Sequence, residues 1–411
     1  MKTAVFSPMG GAGHANGAML ASSSAPVPFN TDEMRAEAEE FRGHIARWVD
    51  ERLIPQAQAT DEKGEFSHEL FTELGELGYY GAMYPESAGG SGLAYPYTCF
   101  TVLCEELARG SLGFAAGVCM QGSTATHTIF QWGGQALHEK YLAPALRGEK
   151  IGAFAITEPN SGSDVASLRT KATKVEGGHI LNGTKIFTSN GTVADFITVV
   201  ATTDPSKGLK GLALFVVDTS TPGFSVGRRL DKFSVHSSDT AELVFENVFV
   251  PDDHHLDNGG SGGFLNAYKA LTVDRIFTAA LALGNGRAAY DAALRYAKER
   301  SQFGQAIGKF QAVQFKLVDM LALLEQARLY TYHAAALADE GRPITTEAAL
   351  SKIVAGDGCN EVCQKAMSIF GGYGLMNEYP VQRFLRDSYF PLVGGGTSDI
   401  MRLIVARQLG F

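Results

Sequence analysis

Cysteine is scarce in this 411-residue chain and does not pair: Cys99, Cys104, Cys119, Cys359 and Cys363 form no CxxC motif. This argues against a thiolate zinc site or a redox dithiol and reads as buried free thiols in a reducing compartment, the cytoplasm or an organelle matrix. Lysine or arginine runs are missing as well, and the formal charge is -9, which argues against a nucleic-acid partner. No apolar run reaches the length of a membrane span. Residues 1–29 hold one lysine and no arginine, so they lack the basic start of a signal peptide and the arginines of a transit peptide. They read as a flexible tail, because the glycines of GGAGHANG follow no strand. His254 and His255 have no further histidine or cysteine around them and are expected to be a turn pair rather than metal ligands.

The remainder is ordinary globular composition, 45% apolar and 19% charged, at a length that predicts two or three packed units. Over residues 30–150, apolar residues recur at three and four, as in DEMRAEAEEFRGHIARWVDERL, which predicts an α-domain capped at Asn30 or Thr31. Over 151–255 the period falls to two: IGAFAIT, LRTKATKV, GHILNGTKIFTS, FITVVATT, GLALFVVD, FSVGRRL and AELVFENVFV are separated by turn residues. After DNGGSGG, residues 256–411 are helical again, and FLNAYKALTVDRIFTAALAL is apolar on nearly every face, the mark of a helix buried in a bundle.

Near the end, LVGGGTSDIMRLIVARQ spends Gly394, Gly395 and Gly396 just before an apolar helix. A tight turn explains them, and so does a backbone surface built to touch a ligand. Together with FAITEPNSGSDVASLRTKA, LNGTKIFTSNG, KERSQFGQAIGKFQAVQFKLVDM and IFGGYGLMNEYPVQRFLRD, this motif resembles the acyl-CoA dehydrogenase family over roughly residues 30–411. The resemblance implies an α+β fold: an N-terminal helical domain, a central β-barrel-like domain and a C-terminal four-helix bundle, with FAD and an acyl thioester held between them. It assigns Phe154, Ile156, Thr157 and Ser163 to the flavin and thioester pocket, where hydroxyls and main-chain N–H groups of the loop hydrogen-bond the ring edge. Phe187 and Ser189 stand where the family usually has a tryptophan and a threonine beside the flavin; phenylalanine still stacks and serine still donates. Arg300, Phe303 and Gln311 match residues that reach a neighbouring subunit's FAD, and Gly371 and Gly372 match the backbone under its adenosine end. Taken alone, Arg300 reads as a solvated helix charge. Thr397 and Asp399 complete the cofactor set, with Thr397 or Ser398 capping the last helix.

The sequence departs from the family at its chemical centre. Dehydrogenation needs a carboxylate base, and most members place a glutamate where this chain has Gly395. Glycine keeps the main-chain N–H, one donor of an oxyanion hole, and discards the side chain. A minority, including isovaleryl-CoA dehydrogenases, carry the base on the first long C-terminal helix directly before an arginine; LTVDRIF puts Asp274 and Arg275 there. Asp274 shares a helix face with Ala270, Leu271, Phe277 and Thr278 and has no obvious local partner, so desolvation should raise its pKa toward a useful value. The alternative is a structural aspartate paired with a distant cation. Gly394, Thr272 and His236 also replace common residue types, and with Ser163 and Arg275 are expected around the substrate. Aspartate is one methylene shorter than glutamate, about 1.5 Å less reach.

These readings imply FAD-dependent α,β-dehydrogenation of an acyl thioester on coenzyme A or an acyl-carrier protein. Electrons would pass to an electron-transfer flavoprotein, and the chain would be a tetramer built as a dimer of dimers, or a dimer, with no nucleic-acid or membrane partner. A flavin-dependent lyase, desulfinase or monooxygenase of the same fold is the alternative, since such chemistry needs no strong carboxylate base. A flavin-bearing nucleic-acid-binding relative is remote.

Overall fold

The computed structural model describes residues 31–256 and 263–411; the proposed tail, the Asn30 cap and most of the glycine-rich linker lie outside them. Thr31 supplies the first cap, its hydroxyl accepting from the Met34 amide at 3.1 Å. Three helices matter most in the N-terminal part: α1 (Asp32–Trp48), α2 (Pro96–Gly110) and α3 (Leu112–Met120). Directly after α3 the chain widens into π-type turns over Gln121–Thr126 before resuming as a short α-helix. Such insertions reorient side chains without breaking a helix.

Seven strands follow: β1 (Gly152–Ala155), β2 (Lys171–Val175), β3 (Gly178–Ser189), β4 (Phe196–Thr202), β5 (Leu212–Asp218), β6 (Phe224–Arg229) and β7 (Thr240–Pro251). They form one curled sheet in the order β1-β4-β2-β3-β7-β6, with β5 also paired to β4. In β4 and β5 both faces are buried. Ile197, Val199, Ala201, Ala213, Phe215 and Val217 fill the inside of the curl. Phe196, Val200, Leu212, Leu214 and Val216 join the core shared with the helices.

The C-terminal helices are α4 (Gly263–Glu299), α5 (Gln311–Asp339), α6 (Thr345–Phe370), α7 (Val381–Asp387) and α8 (Ser398–Gln408). Helix α4 packs against α5, α6 and α2, and α8 lies against α6. A hairpin of two-residue strands, β8 (Ser301–Gln302) and β9 (Gln305–Ala306), separates α4 from α5. His254 and His255 are packing residues: His254 meets the Tyr141 ring edge, while His255 stacks on Phe215 at 4.6 Å. Among the described residues no helix is long and apolar enough to cross a membrane.

Candidate active site

Helix α4 passes through the interior, so its one carboxylate in the middle turns, Asp274, is only 5% exposed. Its partners come mainly from other elements, with Thr278 one turn on as a local one. Ser123, in the π-type turns after α3, donates to Asp274 Oδ1 at 2.7 Å, and the Cys119 thiol lies 3.9 Å from the same oxygen. The other oxygen faces the glycine loop: a Cβ placed on Gly395 would stand 3.0 Å from Asp274 Oδ2, 3.2 Å from Thr278 Oγ1 and 3.6 Å from Lys352 Cε. The two base positions weighed from the sequence therefore occupy one small space. Gly395 has φ of +65° and Gly396 of +99°, a left-handed path that glycine takes without steric cost. Burial raises the Asp274 carboxyl above its ordinary value, against the opposing pull of Ser123, Lys352, Arg275 and Thr278.

Lys352, on α6 and fully buried, was not singled out from sequence. Its ammonium donates to Pro391 O at 2.8 Å and to Gly396 O at 2.5 Å, one carbonyl on either side of Gly394 and Gly395. Burial lowers its pKa to about 8 despite the nearby Asp274. A lone lysine in the apolar run TEAALSKIVAG was the available signal. Arg275 is also buried; its guanidinium lies 5.2 Å from the Tyr268 ring centre, and Nη1 reaches Thr272 Oγ1 at 3.4 Å.

The sheet holds a second group of predicted residues. The loop after β1 is folded around buried Glu158, whose carboxylate accepts from the Arg169 and Thr170 amides at 2.7 and 2.8 Å and from Lys185 Nζ at 2.8 Å. Lys185 also donates to Ile156 O, and the Ile186 amide to Thr157 O at 2.9 Å. Thr157, Ile156 and the exposed Ser163 are thereby set beside β3, while Phe154 is buried against the helical core. A register shift between Lys185 and Thr188 turns Phe187 outward, at φ +58° and 66% exposed, with half-buried Ser189 two residues on. Bulges and positive φ at a bulky residue are costly and cluster at functional sites. Asn190 ties this strand end to α3, donating to Gly117 O at 3.0 Å and Gly152 O at 3.2 Å. The Gly152 amide in turn bonds Gln121 Oε1 at 2.7 Å, two residues from Ser123.

A third group lies at the far end of α4. Arg300 sits 5.2 Å from the Tyr373 ring centre and lines, with Tyr296, Gly372 and Phe370, a surface cavity of about 500 Å³. Gly371 and Gln311 are exposed nearby in sequence. Phe303 heads the β8–β9 hairpin at φ +52° and is 93% exposed, a phenylalanine presented to the outside. Thr397 caps α8 by accepting from the Ile400 amide at 3.2 Å; Ser398 bonds Asp357, and the exposed Asp399 pairs with Arg402 at 3.5 Å.

Residues 35–149, 153–248 and 261–410 match, in turn, the N-terminal, middle and C-terminal domains of acyl-CoA dehydrogenase. The chain belongs to the acyl-CoA dehydrogenase family. A relative in Aromatoleum aromaticum, benzylmalonyl-CoA dehydrogenase, is 45% identical over 92% of this chain and 98% of its own. The butyryl-CoA dehydrogenase structure from Megasphaera elsdenii superposes with a TM-score of 0.89 at 39% identity, covering 93% of this chain and 99% of that one. A chain from a structure described as the electron transferring flavoprotein of Acidaminococcus fermentans matches with TM-score 0.89 and 37% identity, covering 93% and 99%. As an acyl-CoA dehydrogenase the protein is an oxidoreductase acting on a CH–CH bond, in a family of flavoproteins that dehydrogenate acyl thioesters.

Within that frame, His236, Gly394 and Thr272, all expected around the substrate, make contacts within the protein. His236 contacts Arg386 at 3.3 Å and Asp61 at 3.8 Å, a polar cluster none of whose contacts involves Asp274. At Gly394 a Cβ would meet the Phe390 ring at 3.1 Å, so that ring packs closely against the loop. Thr272 turns back on its own helix, donating to Tyr268 O at 2.8 Å.

Proposed function

We propose that the chain is an FAD-dependent dehydrogenase of acyl-CoA thioesters with Asp274 as its base. It works as a homo-oligomer, a dimer of dimers or a dimer, that passes its electrons to an electron-transfer flavoprotein. The observation that carries this reading is Asp274 Oδ2 facing the backbone of Gly395 while Ser123 holds Oδ1. A buried carboxylate held by Ser123 and Thr278 against a glycine loop is arranged to take a proton.

The residues present fit the cofactor. Phe187 offers an exposed ring at the sheet edge, Thr157 and Ser189 offer hydroxyls beside it, and Arg300 offers a guanidinium in a cavity floored by Gly372. Phe303 and Gln311 project outward, as groups serving a neighbouring subunit's cofactor must. FAD held by these residues would supply the acceptor for the hydride of the β-carbon. Asp274 takes the proton from the α-carbon, so the electron pair of that C–H bond becomes the new double bond. The Gly395 N–H is the donor for the thioester carbonyl oxygen as charge develops there. A raised pKa makes Asp274 a stronger base than an exposed aspartate. The reach lost with one methylene is offset by position, since Asp274 already abuts Gly395. Coenzyme A is the carrier named for the 45% identical relative and for butyryl-CoA dehydrogenase, which supports a CoA thioester here.

Anaerobic mixing of purified holoenzyme with a panel of saturated acyl-CoA thioesters tests the reading. Bleaching of the flavin absorbance by at least one is expected. Turnover of a thioester without flavin reduction would favour a lyase instead.

A further inference from the structure

Three features of Lys352 go beyond filling space. It is a buried cation, it spans the glycine loop by bonding the carbonyls of Pro391 and Gly396, and its stem lies 3.6 Å from where a Gly395 Cβ would be. A neutral donor would satisfy the carbonyls. A buried ammonium is costly unless an anion compensates it, and Asp274 is the foremost carboxylate acting on it, with Asp357 weaker and Arg275 opposing. Asp274 in turn faces Ser123 and Cys119 from the α3 side, Lys352 from α6, and Arg275 and Thr278 on its own helix.

We propose that Lys352 is the positioning residue of the proton-transfer site: one ammonium fixes the Gly394–Gly396 backbone beside the thioester and holds the Asp274 carboxylate in its ionised form. This rests on Asp274 being the base. The arrangement couples two requirements of the reaction, a preorganised N–H at Gly395 and a base that is free of its proton at neutral pH.

Substitution of Lys352 by glutamine keeps a donor for one carbonyl and removes the charge; Lys352→Met removes both. The acid limb of the pH profile for flavin reduction, followed by stopped flow with the thioester that bleaches wild type, should move upward by about one pH unit or more in Lys352→Gln, the scale of a lost neighbouring charge. A flavin-independent readout is the carboxyl titration of Asp274 itself, isolated by infrared difference between Lys352→Gln and Lys352→Gln/Asp274→Asn, which should shift by the same amount. Lys352→Arg should return both toward wild type. A uniformly slower enzyme with an unmoved acid limb and unmoved carboxyl titration would overturn the proposal and leave Lys352 structural. Should Lys352→Gln not fold, Lys352→Met, which also removes the charge, is read the same way: an acid limb and carboxyl titration displaced upward support a charge role, and both unmoved contradict it. Failure of the base reading is distinguishable, because Asp274→Asn would then reduce its flavin at the wild-type rate whatever Lys352 does.

Discussion

Gly395 and Asp274 compete for one small volume, and this explains the glycine run better than a turn requirement alone. A Cβ at Gly395 would stand 3.0 Å from Asp274 Oδ2, and the left-handed backbone there costs any other residue about 1 kcal/mol more. A glutamate at 395 therefore crowds an aspartate at 274, whose carboxylate would have to give by a few tenths of an ångström. Gly395→Glu alone should be poorly active, whereas Gly395→Glu combined with Asp274→Gly, which clears the space, should recover part of the lost flavin-reduction rate. Single and double variants that are equally impaired, or a fully active Gly395→Glu, would show that the two sites do not crowd one another. Motif and spacing made Asp274 and Gly395 legible as alternatives, but not their contact, because they lie 121 positions apart in sequence. Ser123 and Lys352 were missed for the same reason: each acquires a role only through a neighbour that folding supplies.

At the scale of elements, alternation and helical periodicity delivered the strands and long helices well, since each pattern follows from which face is buried. The local irregularities were not legible. The π-type turns over Gln121–Thr126 that aim Ser123, and the register shift that turns Phe187 outward, depend on packing against β1 and β7 rather than on local propensity. The β8–β9 hairpin is a third case. Its two loop residues, Phe303 and Gly304, both have positive φ, the mark of a type I′ turn, which favours Asn-Gly over Phe-Gly. The phenylalanine is thus held against its backbone preference. Phe303→Asn should leave thermal stability of the flavin-free protein unchanged or slightly raised, by up to about 1 kcal/mol, while flavin is lost more readily on dilution or gel filtration. If the variant keeps its flavin as tightly as wild type, the ring has no part in the cofactor site.

The whole molecule is joined across its helical halves by a buried ion network. Glu105 and Glu106 on α2 accept from Arg287 on α4 at 2.6 and 2.8 Å and from Arg42 on α1 at 3.1 and 2.5 Å, and Tyr332 on α5 also bonds Glu105. Burial alone would raise Glu105, but Arg42 and Arg287 outweigh it and hold the carboxyl at about 2. Because that folded value lies below the unfolded one, near 4.5, the stability from Glu105 is present above pH 4.5 and is lost as pH falls toward 2. Arg287→Met leaves buried carboxylates short of a partner and should cost about 3–5 kcal/mol, read as a lowered urea midpoint; a change within about 0.5 kcal/mol would mean the network adds little. The same packing seats α4 between α2 and α6, and so sets Asp274 against Ser123 and the glycine loop. The central claim is that this aspartate takes the proton, and Asp274→Asn tests it most directly, because it keeps shape and polarity and removes proton affinity. Stopped-flow reduction of the flavin by the best thioester should be slower by about a hundredfold or more, the scale of a lost general base, with flavin content and ligand binding retained; a wild-type reduction rate would contradict the account.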